Sequence, residues 1–344
     1  MLERMFTTAT FTDDIYSRDP TTVRLETEMA SLTGHEAGLF VASGTMGNQI
    51  SLRTHLTQPP HSVLCDERAH IYASEAGGLA MFSQAMTNTI RPKNGKYITL
   101  EEVKAAIVTD DIHHAPTRVV SLENTLHGLV FPYVEAKRIS DYIRSEFKGE
   151  IKLHLDGIPF NERANHIGAR VWNAVVAEDI TLEKYCSLFD SVSLCFSKGL
   201  STPVGSVIVG SKKFIQKATH FKKAFGGGIR NPGILTAACL LSLEQVIPRI
   251  GDTHVLAKDL AARLEKIGYS MTLPVETNMI WIDLDKLGVS EKTFEAYGAR
   301  EGVTLFDYNR IVVHHQTSQE AVEKLVTAMV HLMEDVKNET VKQA

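Results

Sequence analysis

The 344-residue sequence has no run of about 18 apolar residues, so no membrane span is expected. Its start, Met1-Leu2-Glu3-Arg4-Met5, lacks the apolar core of a secretory signal. Its last residues, Val341 to Ala344, match no targeting address. Cysteine is scarce. Cys65, Cys186, Cys195 and Cys239 have no CxxC spacing, which in a chain of this size reads as reduced core or near-core thiols of a cytoplasmic protein. An excess of basic charge is also lacking. Lys and Arg number 36 against 41 Asp and Glu, a net charge of −5, which excludes a broad cationic surface for nucleic acid or an anionic membrane. There is no Walker loop, no GxGxxG and no GxSxG elbow. Internal repeats and low-complexity segments are absent. The pairs His113-His114 and His314-His315 have no third ligand at a suitable spacing, and neighbours on a strand face opposite ways. No metal is expected.

What is present is ordinary globular composition, 44% hydrophobic and 22% charged, in a chain long enough for a large domain and a smaller one. Short β-rich runs alternate with amphipathic helices, the pattern of a mostly parallel α/β sheet. Asp19-Pro20-Thr21-Thr22 reads as a helix start, with a capping side chain followed by proline in the first turn, and Gly34 ends that helix. Strands are expected over 38–42, 62–65, 117–123, 151–155, 191–196 and 205–209, and a helix over 133–146. A helical stretch over 233–246 leads to an expected domain boundary near Pro248-Arg249-Ile250-Gly251, which assigns residues 1–248 to the large domain and 249–344 to a small α+β domain. The latter would hold a helix over 253–266, strands over 279–284 and 310–314, and a closing helix over 318–335.

Several short segments carry chemistry. Ser43-Gly44-Thr45-Met46-Gly47-Asn48-Gln49 lies between a strand and a helix, where free N–H groups and the positive helix end suit a phosphate. Gly44 and Gly47 would let the backbone approach, and Thr45 adds a hydroxyl. Leu153-His154-Leu155-Asp156-Gly157 puts a carboxylate at the C-terminal end of a strand, where open α/β sheets place their sites. An Asp there can keep a ring nitrogen protonated and so make the ring an electron sink. Ser191 to Gly199 is a further strand with Lys198 at its exit, where an amine in a dry pocket can form a Schiff base. His70 follows a strand and could stack on a flat cofactor. Arg230, in Gly226-Gly227-Gly228-Ile229-Arg230, could reach an anion, and Arg310 could clamp a carboxylate. Each segment alone has a plainer reading: a turn, an Asp-Gly loop, a snorkelling lysine, a surface histidine or a solvated arginine.

Their order is more telling. SGTMGNQ, DERAHIYASEAGG, SLENTLHGLVFP, LHLDG, GARVWNA, FDSVSLCFSKG, PVGSVIVGS, FGGGIRNPG, ETNMIWIDL and NRIVVHHQTS follow one another from about Asp13 to Glu334. This series resembles the low-specificity L-threonine aldolases, which have the aspartate-aminotransferase-like fold of pyridoxal-phosphate enzymes. The resemblance implies a large domain with a seven-stranded-type, mostly parallel sheet flanked by helices. It implies that Lys198 holds pyridoxal 5'-phosphate, with Ser197 beside it, and that Asp156 pairs with the pyridine nitrogen. His70 would stack on the ring, and Gly44 and Thr45 would hold the phosphate. Arg170 would contact the ring side and Arg310 the substrate carboxylate. His127 would lie near the substrate. Tyr16 and Arg230 would reach the neighbouring subunit's site, which implies a homodimer or homotetramer. The implied reaction cleaves a β-hydroxy amino acid to glycine and an aldehyde, with a bound water, His70 and His127 as candidate bases.

Two departures from the pattern stand out. Asp156 and Arg170 are fourteen apart where the family has three, an insertion of roughly 158–168 that is expected to crowd the substrate side or move Arg170. The family's RSDT-like opening segment is also missing ahead of Met1. Two other readings compete: an amino acid (alanine) racemase of a peptide pathway, built on the same cofactor, and a non-catalytic homologue.

Overall fold

The computed structural model describes residues 2–16, 18–109, 111–157, 170–305 and 309–338. The inserted segment at 158–168 therefore lies outside the described residues. A seven-stranded sheet is built from β1 (Ala37–Val41), β2 (Ser62–Asp66), β3 (Met86–Ile90), β4 (Thr117–Glu123), β5 (Lys152–Gly157), β6 (Ser191–Cys195) and β7 (Ser206–Gly210). Their spatial order is β1-β7-β6-β5-β4-β2-β3. The run from β6 to β3 is parallel, and β7 alone runs against both of its neighbours. The expected mostly parallel sheet flanked by helices is what forms.

The six strands expected for this sheet all form, β4 at the expected bounds and the others with an end shifted by one or two residues. β3 was not expected. Its sequence, Met-Thr-Asn-Thr-Ile, pairs only with β2 and exposes Met86, so an edge position replaces the apolar signal of a buried strand. Asp19 caps the helix Pro20–Thr33, accepting from Thr22 N at 2.9 Å, and Gly34 closes it at φ +69°. That positive φ is the reason a glycine ends the helix.

The two faces of the sheet differ. Phe40, Leu64, Val120, Leu122, Leu153, Leu155, Val192, Leu194, Val207 and Val209 all point into one apolar core. Helices Pro20–Thr33, Tyr133–Phe147, Arg170–Ala177 and Gly233–Gln245 cover that face. On the opposite face, the strand period of two brings up Ser121, Glu123, His154, Asp156, Ser191 and Ser193, all buried. The helix Gly44–His55 lies over this polar stripe.

A second apolar cluster lies between residues 257 and 333. It surrounds a two-stranded antiparallel sheet of β8 (Met279–Trp281) and β9 (Arg310–Val312), shorter than the expected 279–284 and 310–314. The helix Ile250–Ile267 begins three residues before the expected 253, and the last helix, Gln319–Lys337, is capped by Ser318. All four cysteines are free and buried. Among the described residues, no single helix is long and apolar enough to cross a membrane.

Candidate active site at the strand ends

Three parallel strands end in one row. Glu123 of β4 is in register with Asp156 of β5, and Asp156 with Ser193 of β6. Asp156 is 1% exposed. Lys198 leaves β6 just past this row and is half-buried. Its carbonyl accepts from Ser201 N at 2.8 Å, so a tight turn holds the lysine segment at the strand exit. Gly205 closes the turn at φ +121°, and a Cβ there would fall 2.7 Å from the Phe40 ring. Ser197 is half-buried and contacts Cys195 Sγ at 3.4 Å.

The helix Gly44–His55 begins at the same sheet, directly after β1. Ser43 caps it, accepting from Met46 N at 3.1 Å. Gly44 is buried and Thr45 half-buried, so a hydroxyl and first-turn N–H groups gather at a positive helix end. Gly47 has a packing role as well. A Cβ there would lie 2.5 Å from Ser193 Oγ, so this glycine lets the helix sit directly on β6.

His70 opens the short helix His70–Ala73 and is 7% exposed. Its backbone N–H donates to Glu123 Oε2 at 2.6 Å, and its Nδ1 lies 2.6 Å from Glu75 Oε1. One ligand atom each from His70, Glu75 and Asp156 falls within 4.8 Å of the others. By spacing, this trio could suit a metal. The Asn48 and Gln49 amides, however, aim N–H donors at both Glu75 oxygens, at 2.8 and 2.5 Å. Donors so placed suit a carboxylate held for hydrogen bonding rather than for coordination.

Four of the other expected site residues fall into two groups. His127, at φ +55°, stacks its ring on Trp281 with centroids 5.4 Å apart, and Trp281 Nε1 donates to the His127 carbonyl at 2.9 Å. The Arg310 guanidinium lies 5.4 Å from the same indole, and Arg310 pairs with Trp281 in the β8–β9 register. Trp281 is thus shared by the loop after β4 and the arginine strand. Tyr16 and Arg230 stand at an outer rim. Tyr16 is 72% exposed with Arg18 over its ring, and Arg230 pairs with Asp13 at 2.5 Å. Arg170 begins the helix Arg170–Ala177, and its side chain lies outside the described residues. Sequence reasoning missed Glu75, Asn48, Gln49 and Trp281. A usable signal was the polar residue at every second place in Leu153-His154-Leu155-Asp156 and Ser191-Val192-Ser193, where a buried strand would otherwise be apolar on both faces.

A lysine, a buried carboxylate, an imidazole and a helix N-terminus all stand at the carboxyl-end edge of an α/β sheet, the edge where such sheets place their sites. Residues 1–287 match the profile of the β-eliminating lyases. A low-specificity L-threonine aldolase of Candida albicans is 44% identical over 337 residues, covering 97% of this chain and 86% of that protein. Alanine racemase TOXG of Cochliobolus carbonum is 39% identical over 326 residues, covering 92% and 80%. The solved structure of Leishmania major threonine aldolase superposes with a TM-score of 0.75 at 18% identity, covering 94% of this chain and 92% of that one. The chain belongs to the β-eliminating lyase family and, within it, to the low-specificity L-threonine aldolases.

Proposed function

We propose that this chain is a pyridoxal-phosphate enzyme that cleaves β-hydroxy amino acids, L-threonine and L-allo-threonine among them, to glycine and an aldehyde. The observation that carries this reading is the placement of buried Asp156 beside His70, on the strand next to the one that Lys198 leaves. The donor set fits the cofactor group by group: an amine for the aldehyde, a carboxylate for the ring nitrogen, a flat imidazole for the ring face and a helix N-terminus for the phosphate.

When bound, the cofactor supplies an electron sink for the pair released as the Cα–Cβ bond breaks. Asp156 keeps the proton on the ring nitrogen, and its burial keeps water from competing. Lys198 holds the cofactor through its ε-amine, with Ser197 beside it. Gly44 and Thr45 bind the phosphate, and Arg170 contacts the ring side. Arg310 binds the substrate carboxylate, and the Trp281 indole steadies the guanidinium until substrate arrives. A bound water, His70 or His127 takes the β-hydroxyl proton. Tyr16 and Arg230 face outward and complete the site of a second copy in a homodimer or homotetramer.

Alanine racemase TOXG is the specific reason to keep a second reading, loss of the Cα proton from alanine. Both readings use the same residues and differ in the bond that breaks. The experiment is to load the protein with cofactor, record its visible spectrum and supply L-threonine or L-alanine in turn, with Lys198→Ala alongside. Expected are a cofactor band that requires Lys198, and equal amounts of glycine and acetaldehyde from threonine. Racemised alanine without glycine would replace the aldolase with the racemase, and no band would overturn the cofactor assignment.

A further inference from the structure

Two motifs do more than the expected chemistry asks of them. The Asn48-Gln49 end of SGTMGNQ lies past the first turn of its helix, and Glu75 follows His70 by five residues. The structure brings these three side chains together in a buried cluster with His70. Glu75 is 4% exposed, Asn48 0%, Gln49 2% and His70 7%.

The donors in this cluster have one consistent direction. An ionised carboxylate only accepts, so the Asn48 atom 2.8 Å from Glu75 Oε1 is its NH₂ group, and the Gln49 atom 2.5 Å from Oε2 is likewise an NH₂. Asn48 Oδ1 must then accept, and it takes the Nε2–H of His154 at 3.1 Å. Burial, with the nearby His55, pushes the His154 imidazole down to about 3, so the ring is neutral and its Nδ1 accepts from the Ser191 hydroxyl at 2.8 Å. Ser191 Oγ in turn accepts from His55 Nε2 at 2.8 Å. His55 is neutral as well, lowered to about 3 by burial and by Lys152 and Lys217. Every hydrogen bond from His55 through Ser191, His154 and Asn48 points the same way and ends on Glu75. Such chains polarise one another and strengthen the last acceptor.

While it is ionised, Glu75 can offer His70 only an acceptor. The Nδ1 of His70, 2.6 Å away, must therefore carry the proton. In the neutral ring Nε2 then bears the lone pair. The backbone of His70 is fixed as well, through its N–H to Glu123.

We propose that Glu75 is a positioning residue of this active site: with Asn48 and Gln49 it sets the tautomer and orientation of His70, and the His154–Ser191–His55 chain between the sheet and the helix Gly44–His55 sets Glu75. Burial works against the ionised acid and pushes its carboxyl up to about 7, and the Gln49 and Asn48 donors pull it back. The titratable groups facing it are His70 and Asp156, with Glu123 behind the His70 backbone. The arrangement stays intact only while Glu75 is ionised, so turnover should fall on the acid side as Glu75 takes up a proton.

The proposal rests on the aldolase reading for its kinetic test and stands apart from it for its spectroscopic one. In Glu75→Gln, one oxygen becomes a donor facing other donors. With saturating cofactor the visible band should persist, because Lys198 and Asp156 are unchanged. The kcat for L-threonine should drop by about tenfold or more, with KM changed by less than about threefold, since general acid–base groups contribute roughly 10²–10⁴ and only their alignment is lost. In ¹⁵N-histidine spectra of the cofactor-free protein, the protonated-Nδ1 signature of His70 should disappear. Unchanged kcat and an unchanged His70 tautomer would overturn the proposal, as would a loss of thermal stability alone. If Glu75→Gln does not fold, Gln49→Met tests the same idea, since it removes one donor without touching His70. It should shift the acid limb of the pH–rate profile upward and lower kcat two- to fivefold, and an unmoved limb would overturn the proposal. Should the parent protein not cleave threonine at all, the function is wrong, while the His70 spectrum still decides the role of Glu75.

Discussion

Burial pushes two glutamates, Glu75 and Glu26, up to about 7, yet their surroundings differ in kind. Glu75 lies on the polar face of the sheet and takes three side-chain donors, from Asn48, Gln49 and His70. Glu26 is half-buried on the helix Pro20–Thr33 and takes one backbone donor, Phe40 N at 2.8 Å, while facing Lys222 and Asp14. The first acid is held by groups that belong to the site. The second ties a helix to the edge strand β1. A shared titration range therefore does not mark a functional acid, and the identity of the donors does.

The comparison can be broken at several points. His154→Leu carries the largest expected effect. It leaves Asn48 Oδ1 without its donor and takes the acceptor from Ser191, at about 1–3 kcal/mol for each buried group left unmatched. A total loss of about 2–4 kcal/mol is expected in denaturant unfolding, together with slower threonine cleavage. A stable variant with the parent's rate would mean that the chain beneath Glu75 does not matter. Gly78→Ala comes next. The new methyl would lie 2.5–2.9 Å from the Gln49 amide, so Gln49 must leave Glu75 or Gly78 must move. About 1–3 kcal/mol of destabilisation is expected, along with the rate change of Gln49→Met. If only stability falls, the steric conflict was relieved without disturbing Glu75.

Glu26→Gln should have the smallest effect, and its sign depends on pH. A carboxyl whose folded pKa lies above its unfolded one favours the native state most below about 4.5 and loses that contribution as pH rises through about 7. The amide removes the loss. Melting scans should therefore show the variant above the parent at pH 8 and no higher than it at pH 5, with the same kcat at both. A lowered kcat at unchanged stability would erase the distinction between the two glutamates.

How much of this was readable depended on where each residue lies. β4 and β6 begin where expected because their apolar runs are buried. Asp156 and Lys198 could be singled out because strand ends are where α/β sheets put polar groups to use. β3 is an edge strand of Thr and Asn and carried no such signal. Glu75 escaped notice because its meaning comes entirely from neighbours brought by another helix: Asn48 and Gln49 are more than twenty residues away, in a segment read as a phosphate loop. Trp281 looked like one apolar residue in a short strand. Only the approach of the His127 loop and Arg310 makes it a contact between two segments expected at the site.

The reversed strand β7 bears on how the chain is made. Among the described residues β1 has β7 as its one strand neighbour, with Ala37 opposite Gly210. During synthesis the first strand of this sheet to leave the ribosome must wait for the last one. Over that interval the edge of β1, the glycine-rich turn after it and the helix that follows have no completed sheet to rest on. Pairings so distant in sequence close slowly and leave strand edges open to other chains meanwhile.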